Sequence, residues 1–207
     1  MDTVLIDTGG ANLASLEFAF ERLGARTRVS RDAREIRSAP RVVLPGVGTA
    51  CDAMRRLGQA GLTQLIGDLT QPVLGICLGM QLLFEHSEEG ATACLGVLPG
   101  TVRRLEASTQ RPVPHMGWNR LERLAPDPLL TGIAPGTYFY FVHGYAAAVG
   151  PATLAQVEYG APLAAVVRRG NFWGTQFHPE RSGAAGARLI ENFLQCTRTA
   201  MQAARSA

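Results

Sequence analysis

The chain of 207 residues contains no lysine, and all twenty of its basic side chains are arginine. Seventeen carboxylates leave a formal net charge of only +3, so this bias is no sign of a nucleic-acid partner. Without lysine there is no P-loop. The glycine pair Gly9–Gly10 in DTGGANL also lacks G-x-G-x-x-G spacing, so it reads as a tight turn rather than a phosphate cradle. Long apolar runs are missing too: nothing approaches the roughly 20 residues that cross a bilayer, and no membrane partner is expected. The N-terminus runs directly into a strand, Thr3 to Ile6, with no charged n-region or cleavage site, so the expected location is cytoplasmic. Cysteine is scarce. Positions 51, 77, 94 and 196 are spaced too irregularly for a zinc knuckle, and a cytosolic chain of this length needs no disulfide. Four free thiols are expected, with only Cys77 reactive.

An apolar fraction of 46% supports a sizeable core, and a single α/β domain over residues 1–207 is expected. Strands near 4–6, 27–29, 42–44 and 73–76 alternate with helical stretches at 12–23 and 50–69, the pattern of parallel βαβ pairing. Leu13, Leu16, Phe20 and Leu23 share one face of the first helix, which Asn12 is placed to cap. Seven arginines between 22 and 41, interleaved with Glu21, Asp32 and Glu35, read as a solvated helical face or as a docking surface for an acidic partner. Short strands follow near 95–98, 101–105, 138–142, 153–158, 163–168 and 171–177, before a closing helix over 183–197. Arg120 to Pro135, with three prolines, reads as a surface excursion.

Three motifs carry chemistry. In Gly75-Ile76-Cys77-Leu78-Gly79 an apolar strand breaks at a cysteine flanked by glycines, the layout of a nucleophile elbow. The turn needs small neighbours, and it leaves the amide of Leu78 where it favours an anion. Alone, the pattern equally fits a packing turn around a buried, inert thiol. In His178-Pro179-Glu180 the proline disfavours a helical backbone at His178, so the triplet is expected to be extended, with the Glu180 carboxylate in reach of the imidazole. This pairing has the logic of a base oriented by an acid, although a surface histidine beside a solvated glutamate has the same sequence. In Pro45-Gly46-Val47-Gly48 two glycines close a short buried strand. The loop fits either a tight connection or a source of a second oxyanion donor from Val47 or Gly48.

PGVG, GICLGMQ and QFHPE in that order resemble the class I glutamine amidotransferases over nearly the whole chain. DTGGANL, PHMGWN, YFYFVHGY and HPERSGAAG make it more similar to those that serve imidazole glycerol phosphate synthases. The resemblance implies a flavodoxin-like fold: one three-layer α/β domain with a mostly parallel central sheet. It implies a Cys77–His178–Glu180 triad that hydrolyses glutamine without metal or cofactor, and an oxyanion hole at Val47, Gly48 and Leu78. The glutamine contacts it implies are Gly46, Gln81, Glu89, His143, Gly144 and Tyr145, with Gly144 where serine is usual. It also implies a heterodimer with a (β/α)8 barrel cyclase of histidine biosynthesis that receives the ammonia. Asn12, Met116, Trp118, Tyr138 and Arg181 are the interface candidates, Arg181 standing where lysine is common. Two other readings stay open: a glutaminase of another synthase or a γ-glutamyl peptidase on the same scaffold, and a non-catalytic binding subunit.

Overall fold

The computed structural model describes residues 3–9 and 13–197. Asn12, expected to cap the first helix and to face a partner, lies outside them. The first half alternates β1 (Thr3–Ile6), α1 (Leu13–Glu21), β2 (Thr27–Ser30), α2 (Ala33–Ser38), β3 (Arg41–Gly46), α3 (Ala50–Gln59), α4 (Thr63–Gly67), β4 (Val73–Cys77) and α5 (Leu78–Leu82). Strands then dominate: β5 (Phe84–Ser87), β6 (Thr92–Ala93), β7 (Leu98–Arg104), β8 (His115–Arg120), β9 (Tyr138–His143), β10 (Tyr145–Ala147), β11 (Thr153–Glu158), β12 (Pro162–Arg169) and β13 (Phe172–Thr175), followed by α6 (Gly183–Gln195).

The central sheet has seven strands in the order β11-β12-β13-β4-β3-β1-β2. Every pairing from β13 to β2 is parallel, and β12 and β11 add an antiparallel edge. Side chains alternate across this sheet with a period of two, which makes two cores. Leu5, Val43, Leu74 and Ile76 point to the side covered by Leu16 and Phe20 of α1 and by Leu189, Ile190 and Phe193 of α6. Val4, Ile6, Val42, Leu44 and Val73 point to the opposite side, against α2, α3, α4 and α5. A two-stranded sheet, β8-β9, joins the first side, and a four-stranded sheet, β10-β7-β5-β6, joins the second.

The helical stretches expected across 50–69 are α3 and α4, separated where Gly61 takes φ +68°, a conformation glycine adopts without a Cβ penalty. Several expectations are corrected. The strands expected at 95–98 and 101–105 are one strand, β7. The arginine-rich stretch 22–41 is not one helical face: it contains β2 and α2, the latter capped by Asp32, whose carboxylate accepts from the amides of Arg34 and Glu35. The segment 120–135 is not a surface excursion. Leu121 and Leu129 are fully buried, a contribution of roughly 1.5–3 kcal/mol each. Asp127 anchors the same segment, accepting from Trp173 Nε1 at 3.0 Å and pairing with Arg168 at 2.6 Å.

Candidate active site

Cys77 ends β4 with φ 54° and ψ −111°, a strained conformation for a residue with a Cβ, costing on the order of 1–3 kcal/mol. Glycines make the turn possible by close approach. A Cβ on Gly75 would sit 2.7 Å from the Gly79 carbonyl oxygen, and one on Gly79 would overlap the carbonyl oxygen of Leu44. Gly79 is therefore small because the neighbouring strand β3 crosses above it, and not only because the chain folds back on itself. Gly46 is under the same constraint, since its Cβ would meet the Gly79 amide nitrogen at 2.7 Å. The pairing Gly46↔Cys77 brings the PGVG segment beside the cysteine at the carboxyl edge of the parallel strands.

His178 reaches the same edge from the end of β13. Its amide donates to the Tyr140 carbonyl at 2.9 Å, and its own carbonyl accepts from Ser182 Oγ at 2.7 Å. Ser182 Oγ also accepts from the Tyr140 amide at 3.0 Å, so one hydroxyl ties the histidine backbone to β9. The backbone at His178 is extended as expected, but Pro179–Arg181 forms a 3-10 turn rather than continuing the strand. That turn brings Glu180 Oε1 to 2.7 Å from His178 Nδ1. With Nδ1 donating to Glu180, Nε2 is the ring nitrogen left free on the cavity that Cys77 also lines. Burial alone would push the His178 pKa down. The neighbouring Cys77 and Glu180 outweigh burial and raise it to about 10. Oε2 of Glu180 is buried with no hydrogen-bond partner among the described residues.

A cavity of about 620 Å³ opens over the sulfur. Cys77, His178, Glu180, Gly46, Val47, Gly48, Leu78, Gln81, Glu89, His143, Gly144, Tyr145 and Arg181 all line it. Glu89 is held at its rim, with Oε2 accepting from the Ala50 amide at 2.7 Å, at the start of α3. Both ring nitrogens of His143 are engaged inside the protein, so this segment offers the cavity its backbone. Met116, Trp118 and Tyr138 do not line the cavity. They are exposed on the outer face of the β8-β9 sheet, at 66%, 56% and 54%. That face adjoins the site through Tyr140, which stacks edge-on with Trp118 and carries the Arg181 guanidinium 4.7 Å above its ring.

All four cysteines are free thiols. Burial raises Cys94 and Cys196 to about 11, which keeps both protonated at neutral pH. Cys51 is exposed.

Sequence reasoning passed over three polar residues. Gln176 is fully buried behind the sulfur, His115 is buried beneath the outer face, and Ser182 is the tie described above. QFHPE and PHMGWN contain the first two. A glutamine or histidine inside a strand-forming run signals only a polar position until its neighbours across the sheets are known.

The doubly wound sheet thus brings a strained cysteine and a histidine–carboxylate pair to one cavity, in a fold of the glutamine amidotransferase class. The chain belongs to the class I glutamine amidotransferase family, whose model, "Glutamine amidotransferase class-I", matches residues 4–196. Among curated relatives, "Imidazole glycerol phosphate synthase subunit HisH" of Xanthomonas campestris pv. campestris is 53% identical over 194 residues, covering 94% of this chain and 97% of the relative. The protein of the same name from Yersinia pseudotuberculosis is 52% identical over 196 residues, covering 94% and 100%. Solved structures agree on the fold. A "glutamine amidotransferase" aligns with TM-score 0.72 at 20% identity, covering 93% of this chain and 97% of that one. Another glutamine amidotransferase, from Thermotoga maritima, aligns with TM-score 0.65 at 18% identity, covering 94% and 82%.

Proposed function

We propose that this chain, as one domain over 1–207, is the glutaminase subunit of imidazole glycerol phosphate synthase. The observation that carries the reading is the meeting of the elbow cysteine with His178, itself bound to Glu180, on one cavity that can admit glutamine. Identity above 50% to synthase subunits over almost the whole chain supports the choice of synthase.

His178 takes the proton of Cys77, and the thiolate attacks the side-chain amide carbon of glutamine. Charge collects on the carbonyl oxygen, where the amides of Leu78 and of Val47 or Gly48 stabilise it, an effect of roughly 3–4 kcal/mol per donor. The imidazolium of His178 protonates the departing nitrogen, ammonia leaves, and a γ-glutamyl thioester remains. Water, deprotonated by His178, then releases glutamate and returns the proton to the sulfur. Gly46, Gln81, Glu89 and the His143–Tyr145 segment hold the amino-acid end of the substrate, with Glu89 facing its ammonium.

Ammonia released in water would be lost. The exposed apolar face of Met116, Trp118 and Tyr138, with Arg181 and the DTGGANL segment, docks a (β/α)8 barrel cyclase. That subunit uses the ammonia to form imidazole glycerol phosphate and aminoimidazole carboxamide ribotide in histidine biosynthesis, and the complex works in the cytoplasm. The glycines around Val47 let the loop rest with an amide turned away, so the isolated subunit is nearly silent and wakes on docking.

The test is glutamate release by the parent and by Cys77→Ala, each alone and with the cyclase and its ribotide. The parent is expected to be active only in the complex, and Cys77→Ala to lose at least a thousandfold there. A variant at the parent rate would overturn the triad. Equal parent rates with and without the cyclase would overturn the silent resting loop.

A further inference from the structure

Behind the sulfur runs a chain of polar groups whose donors and acceptors are all determined by one backbone carbonyl. The carbonyl of Tyr145 can only accept. It receives His143 Nδ1–H at 2.8 Å and Gln81 Nε2–H at 2.8 Å. The nitrogen end of the Gln81 amide is thereby identified, and its second hydrogen points to Gln176 Oε1 at 3.0 Å. With its oxygen turned to Gln81, the Gln176 amide must turn its nitrogen the other way. There Nε2 meets Cys77 Sγ at 3.9 Å. The opposite orientation would set two N–H groups against each other in a fully buried site, which costs a desolvated donor on each side. Among the described residues, no other group accepts from this nitrogen.

The thiol and the thiolate see this surrounding differently. As a thiol, Sγ donates to the Val142 carbonyl at 3.7 Å. Once its proton has passed to His178, the sulfur has nothing to donate, and that carbonyl oxygen faces a negative charge. A donor fixed on another side then favours the charged form over the neutral one.

We propose that Gln176 is a catalytic residue: its Nε2–H donates to the Cys77 thiolate, and Gln81, anchored on the Tyr145 carbonyl, is the positioning residue that keeps that amide turned toward the sulfur. No atom is transferred through Gln176. It supplies a hydrogen bond that is stronger after the proton has left for His178 than before. The proposal rests on the reading of Cys77 as nucleophile and adds a fourth side chain to its activation.

The experiment follows the alkylation of Cys77 by iodoacetamide as a function of pH in the full chain, resolved from Cys51 by peptide mass spectrometry. Gln176→Met keeps length and volume without the amide, and Gln176→Asn keeps an amide that stops short of the sulfur. In either variant the pH midpoint of the Cys77 rate is expected to move up by about one unit. Below the midpoint alkylation slows about tenfold, the size of one hydrogen bond to a charged acceptor. Two variants of different polarity keep the test open should one fail to fold. A midpoint unchanged in a folded variant, with the parent Cys77 reacting normally, overturns the role of Gln176 and leaves Cys77 as nucleophile intact. A parent Cys77 with no reactivity above that of Cys51 overturns the nucleophile and this proposal with it.

Discussion

Gly144 stands where serine is usual in the family this sequence resembles, and its surroundings leave room for one. A Cβ there would find Val113 Cγ1 at 3.7 Å as its nearest neighbour, an ordinary contact, on the wall of the cavity. Gly144→Ser is therefore expected to fold like the parent and to lower the KM for glutamine about fivefold, the size of one added neutral hydrogen bond, with kcat little changed. Steady-state kinetics of the complex checks this, and an unchanged KM would place the hydroxyl out of reach of substrate. Residues of this kind differ in how far sequence reveals them. The convergence of Cys77, His178 and Glu180 on one cavity was legible because a strained elbow needs glycines at fixed offsets and because proline constrains the residue before it. Gln176 and His115 were not, because their meaning lies in which atoms face them across two different sheets.

The β8-β9 hairpin separates two environments by its alternation. Met116, Trp118 and Arg120 face outward, while His115 and Asn119 face inward. His115 is stacked between Phe141 and Tyr159, with ring centroids 4.9 and 3.9 Å away. Its Nδ1 lies 2.9 Å from His143 Nε2, and its Nε2 lies 3.3 Å from Asn119 Nδ2. Because His143 Nδ1 donates to a carbonyl, the run is satisfied only with both rings neutral: Asn119 donates to His115, and His115 donates to His143. Burial pushes His115 down to about 4. Burial, opposed by the Tyr145 hydrogen bond and helped by the charges of His115 and His178, pushes His143 down to about 3. Both values lie below the ordinary 6.5, so between pH 6.5 and 4 the unfolded chain binds protons that the folded one refuses. Stability is expected to fall as pH drops through that window, by ~1 kcal/mol per pH unit for each ring. Urea unfolding at several pH values reads the slope, and His115→Gln should reduce it by about half; an unaltered slope would assign the loss elsewhere. Sequence showed β9 but not β8, because Gly117 and a run of mixed polarity hide the period of two. The 120–135 segment misled for a related reason: leucines with no regular spacing, set among prolines, conceal a buried role that only the fold assigns.

For the molecule as a whole, the parallel topology was the most legible feature, since alternating strands and amphipathic stretches leave few ways to cover both faces of a sheet. That topology brings β3, β4 and β13 side by side, and so collects PGVG, the cysteine elbow and the histidine turn at one edge. The small second sheet adds the Glu89 rim, and the hairpin adds an apolar outer face next to the cavity. His178 contributes to stability with the opposite sign to the two neutral rings. Its value is raised to about 10, so the stabilisation from its contacts is complete below about pH 6.5 and is lost as pH rises through 10. The most direct measurement is to treat the complex with a glutamine analogue that carries an electrophilic diazoketone and to locate the adduct by peptide mass spectrometry. The account predicts one adduct, on Cys77, growing in step with the loss of glutamate release. Loss of activity with Cys77 unmodified would contradict it.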